Sequence, residues 1–249
     1  MSTHGTPCWY ELTTGDLAAS QAFYGGLLNW TFADAGMPGF TYILASAGGD
    51  MVAGLMTPDQ PMPEFWMVYF AVDDADAAAA KAKSLGGGVH VEPADIPGTG
   101  RFAVLTDPAG CPFGILQPLP GGTGGAYDQM KQGHGNWHDY ASADANASQA
   151  FYGALLGWTV SRSYEEGGAR EYRVLNTGGT DFGGIGPIPP GGRGGWTPYF
   201  GTPSITAAVQ TVADQGGKVL LDPMEVPNGA YIIYAADPRG AVFAMVGGK

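Results

Sequence analysis

Basic residues are scarce in this chain. Eleven lysines and arginines face 23 aspartates and glutamates, so the formal net charge is −12. A surface of that sign repels a phosphate backbone, which excludes a nucleic-acid partner. There are two cysteines, Cys8 and Cys111. They show no metal-type spacing and are too few for a disulfide framework. Nor is there an apolar run of the about 18 residues that a membrane span needs. The opening Met1-Ser-Thr-His-Gly-Thr-Pro lacks a basic region followed by an apolar core, so a cytoplasmic chain without a membrane partner is expected. Glycine (42) and proline (19) are abundant, and 45% of the 249 residues are hydrophobic. That mixture suits many short strands joined by turns, around cores of real size.

An internal repeat sets the architecture. Cys8-Trp-Tyr-Glu-Leu-Thr-Thr-Gly-Asp-Leu-Ala-Ala-Ser-Gln-Ala-Phe-Tyr-Gly-Gly-Leu-Leu-Asn-Trp30 returns as Asn136 to Trp158. Trp9 maps to Trp137, Asp16 to Asp144, Phe23-Tyr24 to Phe151-Tyr152 and Trp30 to Trp158, each shifted by 128. From Tyr42 and Tyr172 onward the offset is 130, and Asp107-Pro-x-Gly110 and Asp237-Pro-x-Gly240 keep it. Self-similarity at a fixed period signals repeated supersecondary units.

Each half reads as β-α-β-β-β run twice. The first half begins with a strand at 9–13, a helix capped by Asp16 with Ala19, Ala22, Phe23 and Leu27 as its apolar stripe, and strands at 30–33, 41–46 and 51–56. A strand at 65–72, a helix at 75–85 and strands near 89–92, 101–106 and 113–117 follow. The Gly/Pro-rich stretch 119–133 is the expected linker between domains 1–118 and 134–249. The second half repeats the plan, with a strand from Trp137, helices at 145–156 and 205–215, and strands near Glu171, Phe182, Trp196, Val219, Tyr231 and Val242.

The pairing of Asp-Leu-x-x-Ser-x-x-Phe-Tyr-x-x-Leu-Leu-x-Trp with a later Asp-Pro-x-Gly-x-x-Phe resembles the vicinal oxygen chelate superfamily. That superfamily includes glyoxalase I, bleomycin-resistance proteins and extradiol dioxygenases. The Gly-Thr-Pro-Cys-Trp opening and the Gly-Ile-Leu-Gln-Pro ending of the first half look like a two-domain actinobacterial branch related to a mycobacterial secreted antigen. The resemblance implies an α+β fold of tandem glyoxalase-like domains, whose four βαβββ modules form curved-sheet cups. In the family's metalloenzymes a cup holds a divalent cation between a His on the first strand, a His or Gln opening the second module, and a Glu on the last strand. Carried over residue by residue, those positions are Trp9, Met67 and Gly114, and Trp137, Thr197 and Ala244. Neither half then offers the expected donors, so no metal and no cofactor is expected.

Strand parity puts Trp9, Glu11 and Thr13, then Phe65, Met67 and Tyr69, then Gly114 and Leu116 on the ligand-facing side of the first cup. Trp137, Asp139, Thr197, Tyr199, Ala244 and Val246 are their second-half counterparts. Gly114 and Ala244 leave room where a glutamate would project. Aromatic walls with a few polar groups make a small-molecule site. The competing reading is that the tryptophans plug the cups and Tyr69 and Tyr199 bond to the carboxylates.

Glu11 and Asp139 are the candidate acid–base groups, with a pKa raised by burial beside an indole, and Tyr69 and Tyr199 the electrophilic partners. His138, beside a ligand position, is expected to be a satisfied or solvent-facing imidazole, with proton transfer as its alternative role. Three functions follow. The first is a metal-free binder of a small aromatic or polyketide-like molecule, serving sequestration or resistance. The second is a metal-independent isomerase, lyase, ring-opening or hydroxylase-type enzyme. The third, opposed by the missing ligands, is a metal-dependent glyoxalase-type lyase. Four modules in one chain suit a pseudo-symmetric monomer, and further homodimerisation is compatible with the repeat.

Overall fold

The computed structural model describes residues 3–121, 124–166, 170–227 and 229–249. Gly122 and Thr123 of the expected linker lie outside the described residues. Among the described residues the chain forms sixteen strands and four helices. The first module is β1 (Pro7–Thr13), α1 (Leu17–Leu28), β2 (Thr31–Asp34), β3 (Tyr42–Ala47) and β4 (Asp50–Met56). The second is β5 (Phe65–Ala71), α2 (Ala75–Ser84), β6 (Gly88–Ile96), β7 (Gly100–Thr106) and β8 (Pro112–Pro118). The third is β9 (Gly135–Ser142), α3 (Ala145–Leu156), β10 (Thr159–Glu166), β11 (Arg170–Thr177) and β12 (Thr180–Pro187). The fourth is β13 (Gly195–Thr202), α4 (Ile205–Asp214), β14 (Lys218–Glu225), β15 (Tyr231–Ala236) and β16 (Val242–Gly247).

These strands make two curved eight-stranded sheets, ordered β2-β3-β4-β1-β5-β8-β7-β6 and β10-β11-β12-β9-β13-β16-β15-β14. Within a module the first strand runs parallel to the last, and the last pairs antiparallel with the one before it. The helix caps follow the sequence reading. The Asp16 carboxylate accepts the Ala19 N–H at 3.0 Å, and Asp144 accepts those of Asn146 and Ala147. Two details differ from the sequence reading. Strand β10 is absent from it, because Ser161-Arg-Ser-Tyr164 is polar and exposed and gives little alternation. The buried stripe of α1 is Ser20, Phe23, Tyr24, Leu27 and Leu28, while Ala22 is exposed. The helix is rotated so that Tyr24 enters the core.

The chain packs as two compact units, each taking modules from both halves of the sequence. One comprises Met1–Cys8, Val68–Thr123 and His138–Trp196, and the other Trp9–Met67, Gly124–Trp137 and Thr197–Lys249. In the second of these, the Tyr24 ring meets Trp66 edge-on at 5.2 Å and Phe243 at 5.5 Å, and stacks on Trp30 at 5.8 Å. Its hydroxyl donates to Asp237 at 3.0 Å and accepts the Trp66 indole N–H at 2.9 Å. The other Asp237 oxygen takes the backbone N–H groups of Arg239 and Ala241.

The first unit repeats the arrangement with the halves exchanged. Tyr152 donates to Asp107 at 3.0 Å and accepts from Trp196 at 3.0 Å, and Asp107 takes the N–H groups of Ala109 and Cys111. Tyr140 adds a further donor to Asp107. Both aspartates are only 4% exposed. Burying a carboxylate is tolerable only when its lone pairs are satisfied, and here each is held by the turn that bears it and by one tyrosine or two.

Replacing Asp107 by alanine strands two phenols and two backbone donors. Urea unfolding of Asp107→Ala should show a loss of about 3 kcal/mol, with Asp107→Asn losing less.

Candidate functional site

Strand β1 has two faces. Tyr10 and Leu12 are fully buried, while Trp9 and Glu11 on the other face are half-buried. The Trp9 indole N–H donates to the Tyr42 hydroxyl at 2.9 Å, and that hydroxyl donates to Glu11 Oε2 at 2.9 Å. The relay is possible because β4 carries glycine opposite Glu11: a methyl group on Gly54 would collide with the Tyr42 phenol. Burial and the adjacent Glu11 charge hold the Tyr42 pKa well above its ordinary value. It therefore remains a protonated donor at any physiological pH.

The third module repeats the pair. Tyr172 donates to Asp139 Oδ1 at 2.5 Å and lies over Gly184, the residue of β12 opposite Asp139. In the second module the Tyr69 ring lies directly over Gly114, its neighbour across β5 and β8. This corrects the expectation of open space at Gly114: the ring fills the position where a side chain would project. In the fourth module Tyr199 donates to the Tyr234 hydroxyl at 2.6 Å. The pair packs with fully buried Ala244 and with Trp137, Val226, Ile232 and Val246.

Trp137 and Tyr199 are thus brought together. Met67 and Leu116 are buried, and Phe65 and Thr197 are half-buried. Tyr42 and Tyr172 are tyrosines bonded to the carboxylates Glu11 and Asp139. Sequence reasoning missed those two and Tyr234. A signal for the first two was available: each keeps the repeat offset, and each is matched by a glycine at the same distance on the following strand.

The residues do not fit a divalent metal. Trp9 presents an N–H already committed to Tyr42, and the ring of Tyr69 covers Gly114. Among the described residues no three His, Cys, Asp or Glu side chains come together as a ligand set. His138 is fully buried, with Nδ1 bonded to the Phe182 carbonyl at 2.8 Å. Burial lowers its pKa from 6.5 to about 4, so it is a satisfied neutral imidazole at neutral pH. Burial raises the pKa of the Cys8 and Cys111 thiols, which makes both poor nucleophiles.

Two measurements check this geometry. Gly114→Ala should cost about 2 kcal/mol by displacing the Tyr69 ring. A double-mutant cycle with Tyr69→Ala should recover about half of that cost, since the clash partner is gone. His138 titrates lower in the folded chain than in the unfolded one, so its contribution is complete above pH 6.5 and is lost as the pH falls toward 4. Wild type should lose up to about 3 kcal/mol more than His138→Gln across that window, read from unfolding curves at each pH.

The model of the Glyoxalase/Bleomycin resistance protein/Dioxygenase superfamily matches residues 8–115 and 136–245. CFP32 of Mycobacterium bovis, which carries a glyoxylase name, is 34% identical over 97% of this chain and 94% of its own. The anthracycline biosynthesis protein DauV of Streptomyces sp. (strain C5) is 32% identical over 97% of this chain and 93% of its own. DnrV of Streptomyces peucetius, described in the same words, is 33% identical over the same shares. Among solved structures, the Mn(II)-bound glyoxalase of Novosphingobium aromaticivorans aligns with a TM-score of 0.65 and 19% identity, covering 98% of this chain and 82% of that one. The 2,3-dioxygenase LapB of Pseudomonas sp. KL28 gives 0.68 and 14%, covering 99% and 94%. At that identity the structures share the fold. The repeated modules, the two family matches and the full-length relatives together place this chain in the Glyoxalase/Bleomycin resistance protein/Dioxygenase superfamily.

Proposed function

We propose that this protein binds a flat aromatic or polyketide-like secondary metabolite without a metal, in sequestration or resistance, as a pseudo-symmetric cytoplasmic monomer. The observation that carries this reading is the Trp9–Tyr42–Glu11 relay. It stands where the superfamily's metalloenzymes place their first metal ligand, and it offers a ring face with a polar edge instead. Stacking on such faces contributes roughly 0.5–1.5 kcal/mol per ring pair beyond the area buried. DauV and DnrV are named as anthracycline biosynthesis proteins, and by similarity this supports a flat aromatic secondary metabolite for this chain. Phe65, Met67 and Leu116 in the first repeat, and Trp137, Thr197 and Ala244 in the second, are the proposed lining residues.

One observation favours a second reading, a metal-independent enzyme. Both halves hold a carboxylate against a phenol, Glu11 with Tyr42 and Asp139 with Tyr172. A carboxylate so oriented is a candidate general base, with the phenol as its positioning partner. Tyr69 and Tyr199 remain the proposed electrophilic partners of this reading.

The two readings separate by titration. Tryptophan fluorescence with a planar hydroxyanthraquinone should show micromolar-range binding, unchanged after chelator treatment and at least about tenfold weaker in Trp9→Ala. Stoichiometric transition metal in freshly purified protein sinks the metal-free assignment. Turnover that disappears in Glu11→Gln and Asp139→Asn while affinity is kept replaces the binder by the enzyme.

A further inference from the structure

The first repeat carries a Phe40–Tyr42 ring pair at its β2–β3 hairpin, where the second sets the exposed phenol of Tyr164 opposite Tyr172 across β10 and β11. Because Gly54 lacks a side chain, Tyr42 lies flat on the sheet. Two residues earlier, in the turn that leads into β3, Phe40 continues it. Their ring centroids are 6.1 Å apart and their planes differ by 31°. Phe40 is 37% exposed and Met37 is 39% exposed.

The loop that bears them is built rather than slack. The Ala35 N–H bonds to the Tyr42 carbonyl at 2.9 Å, closing the β2–β3 hairpin, and Gly36 N–H bonds to Asp34 Oδ1 at 2.8 Å. Gly36 and Gly39 take φ of 68° and 73°, where a side chain would be strained. With the Trp9 indole on the Tyr42 hydroxyl, the row runs from an exposed ring to a half-buried one. Its only charged member is the Glu11 carboxylate. At the matching positions the second repeat encodes Gly167 and Arg170, inside Glu-Glu-Gly-Gly-Ala-Arg-Glu171.

Resting on the binding function proposed above, we infer that Phe40 with Tyr42 is the specificity-determining wall of the first repeat. It stacks one face of a flat, uncharged conjugated ligand, and this repeat rather than the second takes that ligand. A ring face left half in water gains most from a planar partner that covers it without needing hydrogen bonds. The neighbouring carboxylate disfavours an anionic one.

The test uses the full chain with two probes, the neutral planar quinizarin and a sulfonated anthraquinone, followed by equilibrium dialysis and tryptophan fluorescence. Wild type should take one quinizarin per chain and bind the sulfonate more weakly. Phe40→Ala should weaken quinizarin about tenfold, Phe40→Trp should retain it, and Met130→Ala, on the exposed linker, should change nothing. Wild-type affinity in Phe40→Ala, with Trp9→Ala still weakened, overturns this inference and leaves the binding function standing. Two equal sites per chain overturn it in the same way. Failure of wild type to bind either probe overturns the binding function, and this inference with it.

Discussion

The bond from a tyrosine hydroxyl to a buried aspartate is the constraint on which the rest of the molecule depends. Asp107 and Asp237 each spend one oxygen on two N–H groups of their own Asp-Pro turn and the other on tyrosine from the opposite repeat, Tyr24 at Asp237 and both Tyr140 and Tyr152 at Asp107. The same tyrosine accepts an indole N–H, so phenol, indole and carboxylate share one satisfied network. Burial raises the Asp237 pKa while its backbone donors and Tyr24 oppose that rise, a balance expected of a charge retained for its bonds. Each bond joins the two repeats within one compact unit. Duplication therefore made a pair of halves that complete each other's cores, rather than two copies side by side.

A second use of tyrosine builds the candidate site. Glycine at 54, 114 and 184 opens a flat patch of sheet, and a phenol lies on each patch. A ring lying on backbone has its direction set by the strand beneath, which is why Tyr42 and Tyr172 meet the carboxylates opposite those glycines.

Much of this fold was legible in the residues. The offset of 128 that relates Trp9 to Trp137, the Asp caps and the two Asp-Pro-x-Gly turns are local signals, and local hydrogen bonding reproduces them. Tyr24 illustrates what was not legible. Helical periodicity gives a stripe but not the rotation that sends this residue to Asp237, 213 positions away. The bonds of Tyr42 and Tyr172 to the carboxylates were not legible for a related reason. Parity tells which side a strand residue faces, but a tyrosine reaches across strands, and only the glycines that let it lie flat decide which carboxylate it meets. Strand β10 escaped notice because a polar edge strand lacks the apolar alternation by which strands are recognised.

The two repeats kept what the fold needs and diverged where the fold is indifferent. Tyr24 and Tyr152, Trp66 and Trp196, and Asp107 and Asp237 are identical because each is buried and bonded. The carboxylate–tyrosine pairs are retained too, Glu11 with Tyr42 and Asp139 with Tyr172, although their tyrosines are half-buried and their loss would cost the core less. Beyond them restraint ends. Val104 in the second module corresponds to Tyr234 in the fourth, so the second has no counterpart of the Tyr199–Tyr234 bond, and Phe40 corresponds to Arg170. Because a duplicated core tolerates change most readily where packing makes the fewest demands, divergence at Phe40 follows from its exposure on the β2–β3 hairpin of the first module. Divergence at Tyr234 is of another kind, since its phenol is absorbed by a bond to buried Tyr199, and the two repeats thus set different side chains on one shared scaffold.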